Sequence, residues 1–334
     1  MLTASLAFAH PLDAAEWRQR HLAGEVPGGL PYGLDLMERY GVTPVITPPL
    51  NAIPRLLTAG LRKLGSSLDW GAVLNPMSGD VVVCWDERVG VPRALSPATR
   101  APVVSGVIWA DEQANSLTVA GLRRCAAVWG TSSAHLPVLR NLGVRRAEHL
   151  LFGVDADFWT PGTASERPTV VTVGNDRDRD YQTAIRAVAQ LAGRVKLRLL
   201  TPHPVVIPPE IGEQAHLNHA MLREEIRSCA VAAVALKPNI HVSGVTSTLE
   251  AMACARPVVV TDNPGMRDYV TDGETGILVP PGDADAMAKA ISSLLDDPAR
   301  ATAMGLAGRR AVESTFNTQA RAGRLAAILK DVVG

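Results

Sequence analysis

Short runs of valine, alanine and leucine alternate with amphipathic stretches along the whole chain. Apolar runs of this length predict strands buried on both faces, and the stretches between them predict covering helices. In the first half, strands are expected at residues 2–8, "VTPVIT" (42–47), "DVVVCW" (80–85), "PVVSGVIW" (102–109) and "AAVWGTS" (126–132). Helices are expected over 12–23, 33–40, 53–64 and 133–141. The segment "LAGEVPGGLPYGL" holds four glycines and two prolines and reads as loop.

The pattern starts afresh after "FGVDADFWTPGTASERP" (152–168), whose proline, glycine and charge mark a linker. Strands then recur at 169–174, 196–201, 232–237, 257–261 and 276–280. Helices fit 180–192, 219–228, 246–254, 264–270, 284–295, 298–314 and 317–332, with Asp283 placed to cap the fifth of these. The expected fold class is α/β: two doubly wound, Rossmann-like domains (1–151 and 169–334) facing a central cleft, with the last helix a candidate to pack back on the first domain.

Composition narrows the function classes. At 334 residues with 47% hydrophobic side chains, the chain has material for two cores, but 4% aromatics means they are built of small aliphatics. Basic and acidic residues tie at 33 each, which argues against a nucleic-acid partner held by bulk charge. Cys84, Cys125, Cys229 and Cys254 lie too far apart for a metal or redox pair, so they are expected as buried thiols in a cytoplasmic protein. The start "MLTASLAFAH" lacks a basic leader, and no apolar run reaches membrane-spanning length. The expectation is therefore a chain with no integral membrane segment.

The candidate chemistry gathers in "HVSGVTSTLEAMACARPVVV" (241–260). Ligands of doubly wound sheets bind where strands end and loops run into helices. Here a strand end leads through Ser243, Gly244, Val245 and Thr246 into a helix whose first amides favour an anion. Gly244 lets a phosphate approach the backbone, and Ser243 and Thr246 add hydroxyls. Glu250 lies one turn beyond Thr246 on the same face, where it suits the vicinal hydroxyls of a ribose. The plainer alternative is a capped helix with a solvated acid.

From "LEAMACARPVVVTDNPGMRDYVTDGETGILVPPGDADAM" onward the chain closely resembles the C-terminal half of retaining glycosyltransferases of family 4. The likeness extends weakly to "FGVDADFWTP" and reaches the first half only in strand order. It implies a GT-B fold, a nucleoside-diphosphate sugar bound as co-substrate by the second domain with no further cofactor, and an acceptor bound by the first. The chain departs from that family at Val242, where a Glu that contacts the transferred sugar is usual; Lys237, Asn239 and His241 are nearby polar substitutes.

In the same family a Gly-Arg turn followed by Lys meets the diphosphate. Here the turn reads "VGNDRDRDYQTAI", with Asn175 and Asp180 at the Arg and Lys positions and Arg177 and Arg179 between them. Either arginine can grip phosphate oxygens through two N–H groups; the alternative is a self-compensated surface turn. No metal is expected: Asp155 and Asp157 lie in the linker, and the acids of "DRDRD" alternate with arginines that repel a cation.

In the first half two strand ends each carry Trp followed by acid: Trp85 with Asp86, and Trp109 with Asp111. An indole face beside carboxylates suits a sugar, and Asp86 or Asp111 is a candidate catalytic proton acceptor for the acceptor hydroxyl; core tryptophans and capping acids are the plainer alternative. The resulting expectation is a retaining, metal-independent transfer of a hexose-type sugar to a saccharide, lipid or small natural product. The rivals are a nucleotide-sugar epimerase on the same scaffold, an inactive sugar-nucleotide-binding relative, and a two-lobed sugar-binding protein. A dehydrogenase fails for want of a Gly-x-Gly-x-x-Gly turn after the first strand.

Overall fold

The strands that the apolar runs predict form two separate, all-parallel sheets. The computed structural model describes residues 1–9, 12–46, 68–69, 77–191 and 193–334; the helix expected over 53–64 lies outside them. Leu2–Ala7 (β1), Val42–Ile46 (β2), Val81–Cys84 (β3), Val103–Val107 (β4), Ala127–Gly130 (β5) and Ala147–His149 (β6) make the first sheet, in the order β2-β1-β3-β4-β5-β6. Thr169–Val173 (β7), Lys196–Leu200 (β8), Gly212–Ala215 (β9), Val231–Val234 (β10), Val258–Thr261 (β11) and Ile277–Val279 (β12) make the second, in the order β12-β11-β10-β7-β8-β9. Strand order reverses between β1 and β3 in the first sheet and between β7 and β10 in the second. Those reversals are where doubly wound sheets bind ligands.

The chain divides into two units, one of Met1–Gln19, Gly29–Leu151 and Arg321–Gly334, the other of Arg20–Gly28 and Phe152–Ala320. In the first, both sheet faces are covered: Val81, Val83 and Val104 pack in one core, Val82, Val103 and Val128 in another. Ala322, Leu325 and Leu329 of the final helix (Thr318–Val333) belong to the first of those cores. In the second unit, Ile185 and Val188 meet Leu197, Leu199 and Val231 of the sheet together with Met287 and Ile291.

Segment 152–168 is built into the second unit. Trp159 is buried, the Phe152 amide donates to the Tyr269 hydroxyl at 2.9 Å, and Arg309 donates to the carbonyls of Ala156 and Trp159.

Glu87–Leu95 and Ser116–Arg124 are helices that hydrophobic periodicity does not reveal. The first contains Pro92, which removes one helical bond; the carbonyl four residues back, on Arg88, instead accepts the Asp69 amide at 2.7 Å. Strands β6 and β9 also escape the pattern, because "AEH" and "GEQA" are half-buried edge strands without a valine run. The expected helices at 33–40 and 264–270 are 3-10 turns, Pro31–Tyr40 and Met266–Asp268. Among the described residues no helix is long and apolar enough to cross a membrane.

Candidate functional site

At the reversal between β7 and β10 two loops come together. The loop after β7 is laced to the exit of β10: the Lys237 amide donates to the Asp178 carbonyl at 2.8 Å, and the Asp180 amide to the Ala235 carbonyl at 3.0 Å. Asp180, at the position where a lysine was to be expected, caps the helix Tyr181–Ala189 by accepting from the Thr183 amide at 3.1 Å.

The two arginines of this loop part company. Arg177 points outward, with 70% of its side chain exposed and Asp178 at 3.8 Å. Arg179 turns inward and is 9% exposed. Both of its terminal nitrogens donate to Ser247 Oγ at 3.2 Å, while its Nε is buried with no hydrogen-bond partner among the described residues. Among the described residues no carboxylate forms an ion pair with it. Burial lowers its pKa, against the raising influence of Asp176 and Glu250 nearby. A cation so placed is poorly compensated within the fold, which favours an anion from outside.

Arg179 lies against the start of the helix Val245–Ala253. Gly244, at φ +83°, opens that helix in the left-handed region, and a Cβ there would stand 2.9 Å from an Arg179 terminal nitrogen. The amides of Thr246 and Ser247 are first-turn donors, which an α-helix does not satisfy internally. Ser243 is 3% exposed, and its Oγ is buried without a partner among the described residues. Val245 is buried and Thr246 half-buried.

Val242 adopts φ +52°, an uncommon conformation for a β-branched residue, with its side chain buried. Inward packing explains how a valine stands where the resembling family has a polar contact residue.

Glu250 sits one turn into the helix, 8% exposed, with no hydrogen bond or ion pair to its carboxyl among the described residues. Burial raises its pKa to about 8, with Arg179 pulling the other way. Guanidinium, free amides and this acid share one helix start.

The remaining residues expected here are drawn into the loops. Lys237 Nζ donates to the Arg177 carbonyl at 3.2 Å, and its own carbonyl accepts from Asn239 and Asn263. Asn239 Oδ1 in turn accepts from the Ser243 amide at 3.0 Å. Asn263 is 2% exposed, and sequence reading passed over it although it lies two residues past β11 in the "TDN" that follows the valine run. His241 Nε2 lies 3.4 Å from Asp176 Oδ2 and 3.4 Å from Asp178 Oδ2. Burial opposes ionisation of Asp176, yet His241, the Asp178 amide and Arg179 together hold its pKa down to about 2. Arg177 stays within 3.8 Å of Asp178, and a histidine distant in sequence meets both acids more closely.

In the first unit each expected acid has a local partner. Asp86 is fully buried, caps the helix Glu87–Leu95 through the Arg88 amide at 2.9 Å, and pairs with the Arg88 guanidinium at 2.6 Å. Its neighbour Glu87, which sequence reading did not single out, accepts from the amides of Ile108 and Trp109 at 2.9 and 2.6 Å and so fixes the loop after β4. Asp111 is exposed and closes a turn by accepting from the Gln113 amide at 2.8 Å. Trp85 stacks on Tyr32 with ring centroids 3.8 Å apart, and Arg321 lies 5.1 Å from its ring. Trp109 is half-buried at the end of β4.

Residues 167–297 match the family model for glycosyl transferases group 1. That segment is similar to glycosyl transferases group 1. It contains the whole arrangement from Gly174 to Glu250.

The chain is 31% identical over 215 residues to a GDP-mannose-dependent alpha-(1-6)-phosphatidylinositol monomannoside mannosyltransferase of Mycolicibacterium smegmatis, covering 54% of this chain and 56% of that one. It is 32% identical over 201 residues to an alpha-maltose-1-phosphate synthase of the same organism, covering 49% and 51%. The chain thus spans about half the length of the curated relatives it matches. Among solved structures it is similar to a sucrose-phosphate synthase from Thermosynechococcus elongatus (TM-score 0.73, 19% identity, 99% of both chains). It is also similar to Anabaena HepE in complex with UDP and glucose (TM-score 0.68, 16% identity, 99% of both chains). These likenesses establish the GT-B fold class.

Proposed function

We propose that the chain is a glycosyltransferase that moves a hexose-type sugar, with retention, from a nucleoside-diphosphate donor to an acceptor hydroxyl. The observation that carries this reading is Arg179: a buried guanidinium with no carboxylate partner among the described residues, set against the first-turn amides of the helix Val245–Ala253. In this reading the diphosphate lies between Arg179 and the amides of Thr246 and Ser247, with Ser243 and Thr246 hydroxyls beside it. Charge that grows on the departing phosphate is met by a fixed cation and fixed dipoles, which lowers the barrier to glycosidic cleavage without a metal at the phosphates. Glu250 takes the ribose hydroxyls. The match to glycosyl transferases group 1 and the relatives' names support the reaction class, and the resemblance to family 4 supports retention.

The acceptor, a saccharide, lipid or small natural product, is assigned to the first unit. There Phe8 and Trp85 end β1 and β3 at the strand-order reversal, with Tyr32 stacked on Trp85. Because Asp86 is committed to its helix and to Arg88, Asp111 is the stronger of the two proposed proton acceptors. A thermal-shift screen against UDP, GDP, ADP and TDP tests the donor assignment. A ligand at a hundredfold its dissociation constant stabilises by about 2.7 kcal/mol. Product analysis with the matching sugar nucleotide, with and without candidate acceptors, then separates transfer from epimerisation.

A further inference from the structure

Asp176, Asp178 and His241 each offer one ligand atom, and these atoms all lie within 4.8 Å of one another. The histidine side chain is 8% exposed and each carboxylate side chain 20%, so the group is largely withdrawn from the surface. His241 Nε2 stands between the two carboxylates at 3.4 Å from each Oδ2. That spacing lies at the long end for a hydrogen bond, which His241 can give to one carboxylate at a time. It matches the edge of a tetrahedron about zinc: bonds of about 2.05 Å to nitrogen and about 2.1 Å to oxygen place two ligand atoms about 3.4 Å apart.

The neighbouring polar groups have partners of their own. Asp176 Oδ1 accepts from the Asp178 amide at 2.8 Å, so Oδ2 is the oxygen aimed at the histidine. Arg177 is the cation nearest to Asp178 Oδ2, at 3.8 Å, and it is mostly exposed. Arg179 is held by Ser247, and Lys237 Nζ by the Arg177 carbonyl. With a neutral imidazole the group carries two negative charges, the complement of a dication. An imidazole donor selects against Mg²⁺ and Ca²⁺, which take oxygen ligands, and for a transition metal.

We propose that Asp176, Asp178 and His241 bind one divalent transition-metal ion of the zinc class, which ties the loop after β7 to the loop after β10. The ion would tie the loop that carries Arg179 to the loop that carries Gly244, with water completing its coordination. The inference stands apart from the glycosyltransferase reading, since it concerns the chain without nucleotide.

The test uses the full chain, freed of metal with a chelator and dialysed, without nucleotide. Zn²⁺ is titrated by calorimetry, and Co²⁺ is followed by visible absorption, where tetrahedral coordination gives intense d–d bands. The expected result is uptake of one equivalent, a rise in melting temperature, and a tetrahedral Co²⁺ spectrum. Affinity falls at least about tenfold in His241→Gln and in the isosteric Asp178→Asn. His216→Gln, at an exposed histidine, leaves affinity within about twofold. If wild type takes up no stoichiometric metal, the cluster is a histidinium ion pair and the proposal is overturned. Unchanged affinity in His241→Gln assigns the metal to other surface groups and overturns it equally. Either failure leaves the diphosphate assignment standing, because that rests on Arg179 and is read with nucleotide.

Discussion

Gly174 and Arg179 occupy one space: a Cβ at residue 174 would stand 2.2 Å from Arg179 Nε and 2.4 Å from its Cζ. The absent side chain is what lets the guanidinium fold back over the end of β7 and reach Ser247. Gly174→Ala is therefore expected to expel Arg179 from its place while the sheet and helices persist. Nucleoside-diphosphate affinity should fall by roughly tenfold or more, the scale of losing one charge-assisted pair. Calorimetry alongside far-ultraviolet circular dichroism checks this; wild-type affinity in a folded variant would show that the close packing has no bearing on binding.

Glu250 gives a pH signature. Its carboxyl ionises near its ordinary 4.5 when unfolded and near about 8 when buried, so between those values the folded chain keeps a proton that the unfolded chain has lost. The resulting contribution is fully present below about 4.5 and is lost as pH climbs through about 8. Glu250→Gln removes it. The melting temperature of wild type should decline relative to the variant across that window, and parallel curves would place the carboxyl in a more polar setting than the burial implies.

Asp86 separates capping from catalysis. Its carboxylate holds the helix start and Arg88, so Asp86→Ala should destabilise the chain by about 1–3 kcal/mol in denaturant unfolding. Turnover per folded molecule should stay within about threefold. A stable variant that has lost turnover would return Asp86 to the role of proton acceptor.

The strands carrying the site were legible because Val170, Val171, Val231 and Val258–Val260 are continuous buried runs, and parallel sheets demand that pattern. The helix start at Gly244 and the acid one turn later were legible from spacing. What spacing could not convey was orientation. "DRDRD" shows two equivalent arginines, and only the hydrogen bonds of Asp178 and Asp180 to the exit of β10 twist Arg179 inward and Arg177 outward. The meeting of His241 with Asp176 and Asp178 was hidden for the same reason: it depends on which strands are neighbours. Glu87 went unnoticed because a buried acid that binds two amides of another loop has no local periodicity to betray it.

Val242 stores strain at the mouth of the same helix. Its left-handed backbone costs about 1–2 kcal/mol, which Val242→Gly relieves while giving up about 1.5–3 kcal/mol of side-chain burial. Val234→Gly, in β10, gives up burial with no relief. Urea unfolding should show Val242→Gly as milder by at least about 1 kcal/mol. Equal losses would mean that the backbone at 242 is unstrained.

The central claim is that Arg179, and not Arg177, holds the donor diphosphate. Calorimetric titration of wild type, Arg179→Ala and Arg177→Ala with whichever nucleoside diphosphate binds in the thermal screen tests it most directly. Arg179→Ala should lose at least about thirtyfold in affinity, the scale of truncating one member of a buried charge pair, and Arg177→Ala should stay within about twofold. Wild-type affinity in Arg179→Ala, or a loss confined to Arg177→Ala, would contradict the account.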